Sequence, residues 1–167
     1  MKSVVAFKDI LIRTELVPGD IGSVIQMHGK LYKKECNYGL HFESYVAAGL
    51  HEFYEKLQSS RSRAWVCEHQ GKMVGFLALM DRGEQAQLRY FIIDPAYRGI
   101  GLGRKLMDMF IEHLKTSGFK GSYLLTTKEL PTAAHLYMAY GFKLKEERPA
   151  NHPFDKDVIE QRYEMTL

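Results

Sequence analysis

The spacing of apolar residues changes period along the chain, and each change marks an element. Residues 9–15 predict a first strand, after which Pro18, Gly19 and Asp20 break the pattern. Asp20 is expected to cap a helix, because Ile21, Val24, Ile25, His28, Leu31 and Tyr32 follow at helical spacing. A second helix is marked by Phe42, Tyr45, Val46, Leu50, Phe53 and Leu57 and ended by Ser59 and Ser60. Two apolar runs, 64–67 and 74–79, flank a hairpin-like turn at His69, Gln70, Gly71 and Lys72. A third run, 88–93, is nearly continuous, as a strand buried on both faces requires, and stops at Asp94-Pro95. Leu106, Met109, Phe110 and Leu114 define an amphipathic helix closed by Gly118. Residues 123–127 predict another strand and 132–140 a short helix capped by Gly141. Residues 142–148 and 157–167 predict two final strands, joined through Asn151, His152 and Pro153. The order β-α-α-β-β-β-α-β-α-β-β predicts an α/β fold with a mixed central sheet and helices on both faces. No repeat, low-complexity tract or linker divides the 167 residues, so one domain over 1–167 is expected.

Composition narrows the class. At 46% apolar and 26% charged residues the chain reads as an ordinary globular protein. The net charge of +3 is too mild to imply a nucleic-acid partner, although it favours an anionic ligand. Lys33 and Lys34 form the one basic pair of note outside the loop region, and a solvated helix face explains them. Cys36 and Cys67 show neither CxxC nor Cys/His spacing, so no metal site and no disulfide framework is expected. Two reduced thiols suit a cytoplasmic protein. The start, Met1-Lys2-Ser3-Val4-Val5, lacks the apolar core of a signal peptide. No apolar run approaches the roughly 20 residues of a membrane span, so no membrane partner is expected.

Candidate chemistry concentrates in Arg98-Gly99-Ile100-Gly101-Leu102-Gly103, which follows the third run and leads into a helix. Glycines let backbone N–H groups converge on one anion, and a helix start adds free donors and the positive end of its dipole. Arg98 adds a fixed charge suited to phosphate oxygens. A P-loop needs Gly-Lys-Ser/Thr, whereas Gly103 is followed by Arg104-Lys105. A dinucleotide fingerprint needs GxGxxG, and neither Gly99 nor Gly101 begins that spacing. A kinase needs more chain than remains. The plain alternative is a tight turn with no ligand.

Residues 91–103 resemble the acyl-CoA motif of the GNAT N-acetyltransferase superfamily, a strand followed by Gln/Arg-x-x-Gly-x-Gly/Ala. Ala133, Leu136, Tyr137, Gly141 and Phe142 resemble its A-x-x-L-Y-x-x-x-G-F segment. The order of elements is similar over essentially the whole chain. Residues 18–22, 28–32 and 42–47 and the C-terminal stretch resemble GNAT domains often fused behind a MarR-type regulator, for which this chain is too short. The resemblance implies that acetyl-CoA is the acyl donor and that the fourth strand splays from the fifth to admit the pantetheine arm. Phe91 and Ile93 would then be its backbone partners, and the amides of Arg98, Gly99, Ile100, Gly101, Leu102, Gly103 and Arg104 would hold the pyrophosphate. Leu130 stands where many members carry an Asn that contacts the pantetheine, leaving Thr126 or Thr127 as substitutes.

Amine attack on a thioester needs a neutral amine, a donor for the tetrahedral oxyanion and a proton for the departing thiolate. The oxyanion donor would be a backbone N–H near Ile93. The family places the tyrosine matched by Tyr137 beside the coenzyme sulfur, which makes Tyr137 the candidate acid; on spacing alone it is a packing aromatic. For the base, Glu84 sits in a turn, and Gln87, nearer the family position, cannot serve. His41 and Glu43 open the second helix, where a carboxylate is also plain dipole chemistry. His28 lies on an apolar face, and a solvent relay needs no residue. Arg89 interrupts an apolar strand and needs a carboxylate, either from the protein or from a substrate such as an amino acid. Tyr32, Tyr38 and Phe42 could wall the acceptor pocket or belong to the core. Three readings follow: acetylation of a small-molecule amine, acetylation of a protein lysine or N-terminus, and CoA binding without catalysis. Homodimer formation is left open.

Overall fold

The computed structural model describes residues 4–58 and 60–167. Ser59, expected at the end of the second helix, and residues 1–3, part of the stretch read for a signal peptide, lie outside the described residues. The elements follow the expected order: β1 (Leu11–Arg13), α1 (Asp20–Cys36), α2 (Leu40–Leu57), β2 (Arg63–His69), β3 (Lys72–Arg82), β4 (Gln85–Ile93), α3 (Leu102–Thr116), β5 (Gly121–Thr127), α4 (Pro131–Ala139), β6 (Lys143–Ala150) and β7 (Val158–Thr166). The strands form one seven-stranded sheet in the order β1-β2-β3-β4-β5-β7-β6. Only β4 and β5 run parallel; every other neighbouring pair is antiparallel. A parallel pair needs a crossover, and α3 supplies it.

Successive residues of the central strands enter different cores. Trp65, Leu77, Leu79 and Leu88 pack on one face with Leu106 and Phe110 of α3. Val66, Phe76 and Ala78 pack on the other with Val24 of α1 and Val46, Leu50 and Phe53 of α2. Burial on both faces is why these strands are apolar at nearly every position. The turn between β2 and β3 spans Gln70 and Gly71, both at positive φ, inside the pair His69↔Lys72; this is the two-residue hairpin geometry that matches strand twist. No helix among the described residues is long and apolar enough to cross a membrane.

Two features of β4 position everything that follows. First, β4 and β5 pair over three rungs only, Gln85↔Gly121, Ala86↔Ser122 and Gln87↔Tyr123, yet both strands continue, to Ile93 and Thr127. Second, β4 carries a bulge. Phe76 pairs with Ile92 and Ala78 with Arg89, so Leu77 alone faces Tyr90 and Phe91, and Tyr90 adopts φ 56°. A bulge breaks side-chain alternation. Arg89 and Tyr90 therefore both turn toward α2, while Phe91 and Ile93 pack against the α3 side.

Asp20 does not cap α1 as expected. Gly19, at φ 99°, is the N-cap, and no side chain caps the helix. The Asp20 carboxylate instead turns back to accept from the Val17 N–H and from both terminal nitrogens of Arg13, at 2.7 and 2.8 Å. Arg13 Nε reaches Glu68 at 2.6 Å, so one guanidinium ties β1, β2 and the start of α1 together. Burial pushes the Asp20 carboxyl up, but the hydrogen bonds from Arg13 and Val17 outweigh it and leave it below the usual carboxylate range. The pairing therefore contributes stability above the ordinary carboxyl range and loses it as pH falls through the depressed value. Asp20→Asn is expected to cost about 1–3 kcal/mol in urea unfolding near neutral pH. The gap between variant and wild type should narrow in strong acid; a gap independent of pH would contradict the ionic reading.

Candidate active site

The parting of β4 from β5 opens a cavity of about 900 Å³. Leu88–Ile93 and Leu124–Thr127 line it from the two strands, with α1 and α2 on one side and α4 on the other. Each strand loses its neighbour there, so backbone groups along its edge lack sheet partners. An extended chain with amide groups fits such a gap as an added strand.

The glycine loop sits at the mouth. Gly99 and Gly101 adopt φ 79° and 90°, which side chains other than glycine rarely tolerate. Gly101 is the N-cap of α3, with no side-chain cap. The first helical bond to reach it comes from Lys105 N–H, so the amides of Leu102, Gly103 and Arg104 have no helical acceptor. Gly103 lies where a Cβ would sit within 3.5 to 3.7 Å of Ile93, Leu136 and Phe91, so helix start, strand end and α4 converge on this turn. Free donors, two left-handed glycines and a dipole end form an anion cradle.

The cavity brings most of the expected residues together. Phe91, Ile93, Arg98, Gly99, Gly101, Leu102, Gly103, Arg104, Tyr137, Arg89 and Tyr32 all line it. Ile100 packs against the α3-side core instead. Arg98 donates to both carboxylate oxygens of Glu35, at 2.8 and 3.3 Å, and through Nε to the Ile93 carbonyl at 3.3 Å. The sequence reading missed Glu35; only its place one turn beyond Leu31 and Tyr32 on α1 hinted that it faces the loop. Leu130, Thr126 and Thr127 line the cavity too, and the Thr127 hydroxyl is engaged with Tyr38 at 2.7 Å.

Tyr137 is 6% exposed and sits between Phe91 and Phe142, with ring centroids 6.2 and 6.1 Å away. Burial pushes its hydroxyl well above the usual tyrosine range, so it stays protonated at every physiological pH. Tyr32, Tyr38 and Phe42 are at once cavity wall and core, with Tyr32 stacked on Tyr38 at 5.7 Å. His28 Nδ1–H donates to the Val24 carbonyl at 2.8 Å, which fixes the lone pair on Nε2. Burial, with a smaller contribution from the Arg89 charge, pulls this imidazole down to about 4.

Several candidate bases are not at the cavity. Glu43 does not line it: its carboxylate lies against Gly29 of α1, where a Cβ would overlap it, so the expected substrate contact is withdrawn. Glu84 is exposed in the β3–β4 turn and pairs with Lys120. His41 is exposed and pairs with Asp155. Gln87 lines the cavity and accepts from Arg82 at 3.0 Å.

A mixed sheet split at its parallel pair, with a glycine-capped helix at the mouth of the split, is the arrangement on which the comparisons with known proteins bear. The chain belongs to the GNAT acetyltransferase family: residues 60–144 match the family model described as Acetyltransferase (GNAT) domain. It is 37% identical over 100 residues to the uncharacterized N-acetyltransferase YjgM of Escherichia coli strain K12, across 56% of this chain and 59% of that protein. The match thus spans less than two thirds of that relative. The fold is shared with an acetyltransferase of Streptococcus agalactiae 2603, at TM-score 0.75 and 24% identity over 96% of this chain and 100% of that one. It is also shared with spermidine N-acetyltransferase of Vibrio cholerae, solved in complex with CoA and spermine, at TM-score 0.71 and 19% identity over 95% and 96% of the two chains.

The low value for His28 means that the ring stays neutral, with no titration between about pH 8 and about pH 5.5. Ring resonances followed by NMR should stay fixed over that interval; a midpoint near 6.5 would contradict the buried, singly bonded imidazole.

Proposed function

We propose that this protein transfers the acetyl group of acetyl-CoA to the primary amine of a small molecule, by direct attack in a ternary complex. The observation that carries the proposal is the cavity that joins the uncapped start of α3, the open edge of β4 and Tyr137 in one continuous space. The amides of residues 99–104 would bind the pyrophosphate, with Arg98 and Arg104 adding charge. The backbone of Phe91 and Ile93 would hold the pantetheine between the strands. A β4 amide freed by the split would donate to the oxyanion, and Tyr137 would protonate the departing thiolate.

Among the described residues, no carboxylate on the cavity wall is free to act as base. Glu35 is paired with Arg98, Glu129 with Lys156 and Glu160 with Arg148. His28 is neutral but weakly basic. A water relay that delivers the amine already deprotonated fits this arrangement best. The walls formed by Tyr32, Tyr38, Phe42 and Tyr45 favour a small acceptor over a protein segment. Such a protein would work as a single domain over 1–167, in the cytoplasm.

Release of free thiol from acetyl-CoA, assayed against amino acids, polyamines, aminoglycosides and peptides, tests the proposal. Turnover with a small amine is expected; turnover with peptides alone would favour a protein acceptor, and CoA binding without any turnover a non-catalytic module. Arg98→Ala should weaken acetyl-CoA binding by about ten-fold with little change in melting temperature. Unchanged affinity would remove Arg98 from the pyrophosphate site. Tyr137→Phe should lower kcat at least about ten-fold while moving KM little. Unchanged turnover in a reaction limited by chemistry would remove Tyr137 from the catalytic set.

A further inference from the structure

The end of the cavity beneath α2 holds a cation without an adequate partner. Arg89 has a side chain only 10% exposed, yet its guanidinium donates no hydrogen bond to the protein among the described residues. Its nearest acid is Glu52 Oε2, at 3.9 Å. That carboxylate is already held by Arg82, with Lys56 at 3.8 Å, so three cations face one acid. The hydrogen bond from Arg82 is the main reason that Glu52 titrates below the usual range. Tyr90 and Tyr45 set ring faces 4.7 and 5.7 Å from the guanidinium carbon, which fixes its position without neutralising it. Beside it, the Tyr90 hydroxyl is the one buried side-chain polar atom with no hydrogen-bond partner among the described residues.

A guanidinium with so little exposure and no close protein acid keeps its donors available to an anion that enters the cavity. The same wall offers no competing carboxylate, since Glu35, Glu129 and Glu160 are each paired with another cation. The bulge at Tyr90 is what places Arg89 and Tyr90 side by side, and Gly49 of α2 makes room for them. A Cβ at Gly49 would overlap the Tyr90 hydroxyl and lie 2.9 Å from Arg89 Nη2. His28 of α1 packs edge-on against the Tyr90 ring, with centroids 5.8 Å apart.

We propose that Arg89, held in place by the Tyr90 and Tyr45 rings and by the space at Gly49, binds the carboxylate of the acceptor, so that the substrate class is small amines that also carry a carboxylate, amino acids above all. The inference rests on the acetyl-transfer reading of the same cavity. It excludes polyamines, which would set positive charge against Arg89, as good acceptors.

The test uses product-side ligands, because converting an amino acid to its amide also changes the basicity of the amine. N-acetyl derivatives of the standard amino acids and of short ω-amino acids, each paired with its amide, are titrated by calorimetry into the full chain saturated with CoA. At least one acid should bind about ten-fold or more tightly than its amide. The gap should close to within about two-fold in Arg89→Gln, with CoA affinity unchanged, and reopen in part in Arg89→Lys. Gly49→Ala, which leaves the charge in place and pushes both side chains out of register, should narrow the gap as well; melting curves check that each variant is folded. Acids that bind no better than amides, no binding by any acid, or a gap untouched in a folded Arg89→Gln would overturn the proposal. Acetylation of spermidine or peptides with no preference for carboxylates would overturn it while leaving the transferase reading intact. Failure to bind CoA would remove the transferase reading itself.

Discussion

The site depends on a sheet that stops being a sheet. After Gln87 and Tyr123, β4 and β5 no longer bond to each other, although both remain strands. An interior split of this kind leaves backbone donors and acceptors without partners in the middle of a domain, which a fold keeps only when something else satisfies them. The split lies at the carboxyl ends of the single parallel pair, the place where α/β sheets bind ligands. Its companion is the bulge. Tyr90 at positive φ is a strained position for a bulky residue, and strain of this sort persists where the surrounding packing over-determines it. Here that packing is α2 on one side and β3 on the other, and the result is two adjacent polar side chains turned toward α2.

The two ends of the cavity are built by different physics. At the loop, main-chain amides and a helix dipole make an anion site that needs glycine for its shape and little from side chains. Arg98 contributes there while tied to Glu35, so an incoming phosphate would share that guanidinium with a protein carboxylate. Beneath α2, the proposed recognition rests on a side chain: one guanidinium only 10% exposed, braced by aromatic faces and short of acids. Between them stands Tyr137, kept neutral by burial.

Much of this is legible in the sequence. Element order could be read because β2–β4 are apolar at nearly every position while α3 has a clear apolar stripe. The glycine loop could be read because left-handed backbone leaves a residue signature. Glu43 and Asp20 were misplaced for a shared reason: a carboxylate at a helix start looks the same whether it faces a cap, a ligand or a neighbouring element. Asp20 folds back on Arg13, and Glu43 lies across Gly29. The bulge was invisible, because Leu88–Ile93 reads as a regular strand and nothing in Arg89-Tyr90 marks a positive φ. Arg89 could be singled out as a charge in an apolar run, but whether a protein acid satisfies it depends on Glu52, 37 residues away in sequence and already held by Arg82.

The split between β4 and β5 is proposed as the acyl-donor site. A crystal structure of the protein with CoA tests it most directly. The expected result is the pyrophosphate on the amides of residues 99–104, the pantetheine hydrogen-bonded along the open edge of β4 near Phe91 and Ile93, and the sulfur beside the Tyr137 hydroxyl. Coenzyme bound elsewhere, or strands β4 and β5 closed on each other past Gln87 in the complex, would contradict it.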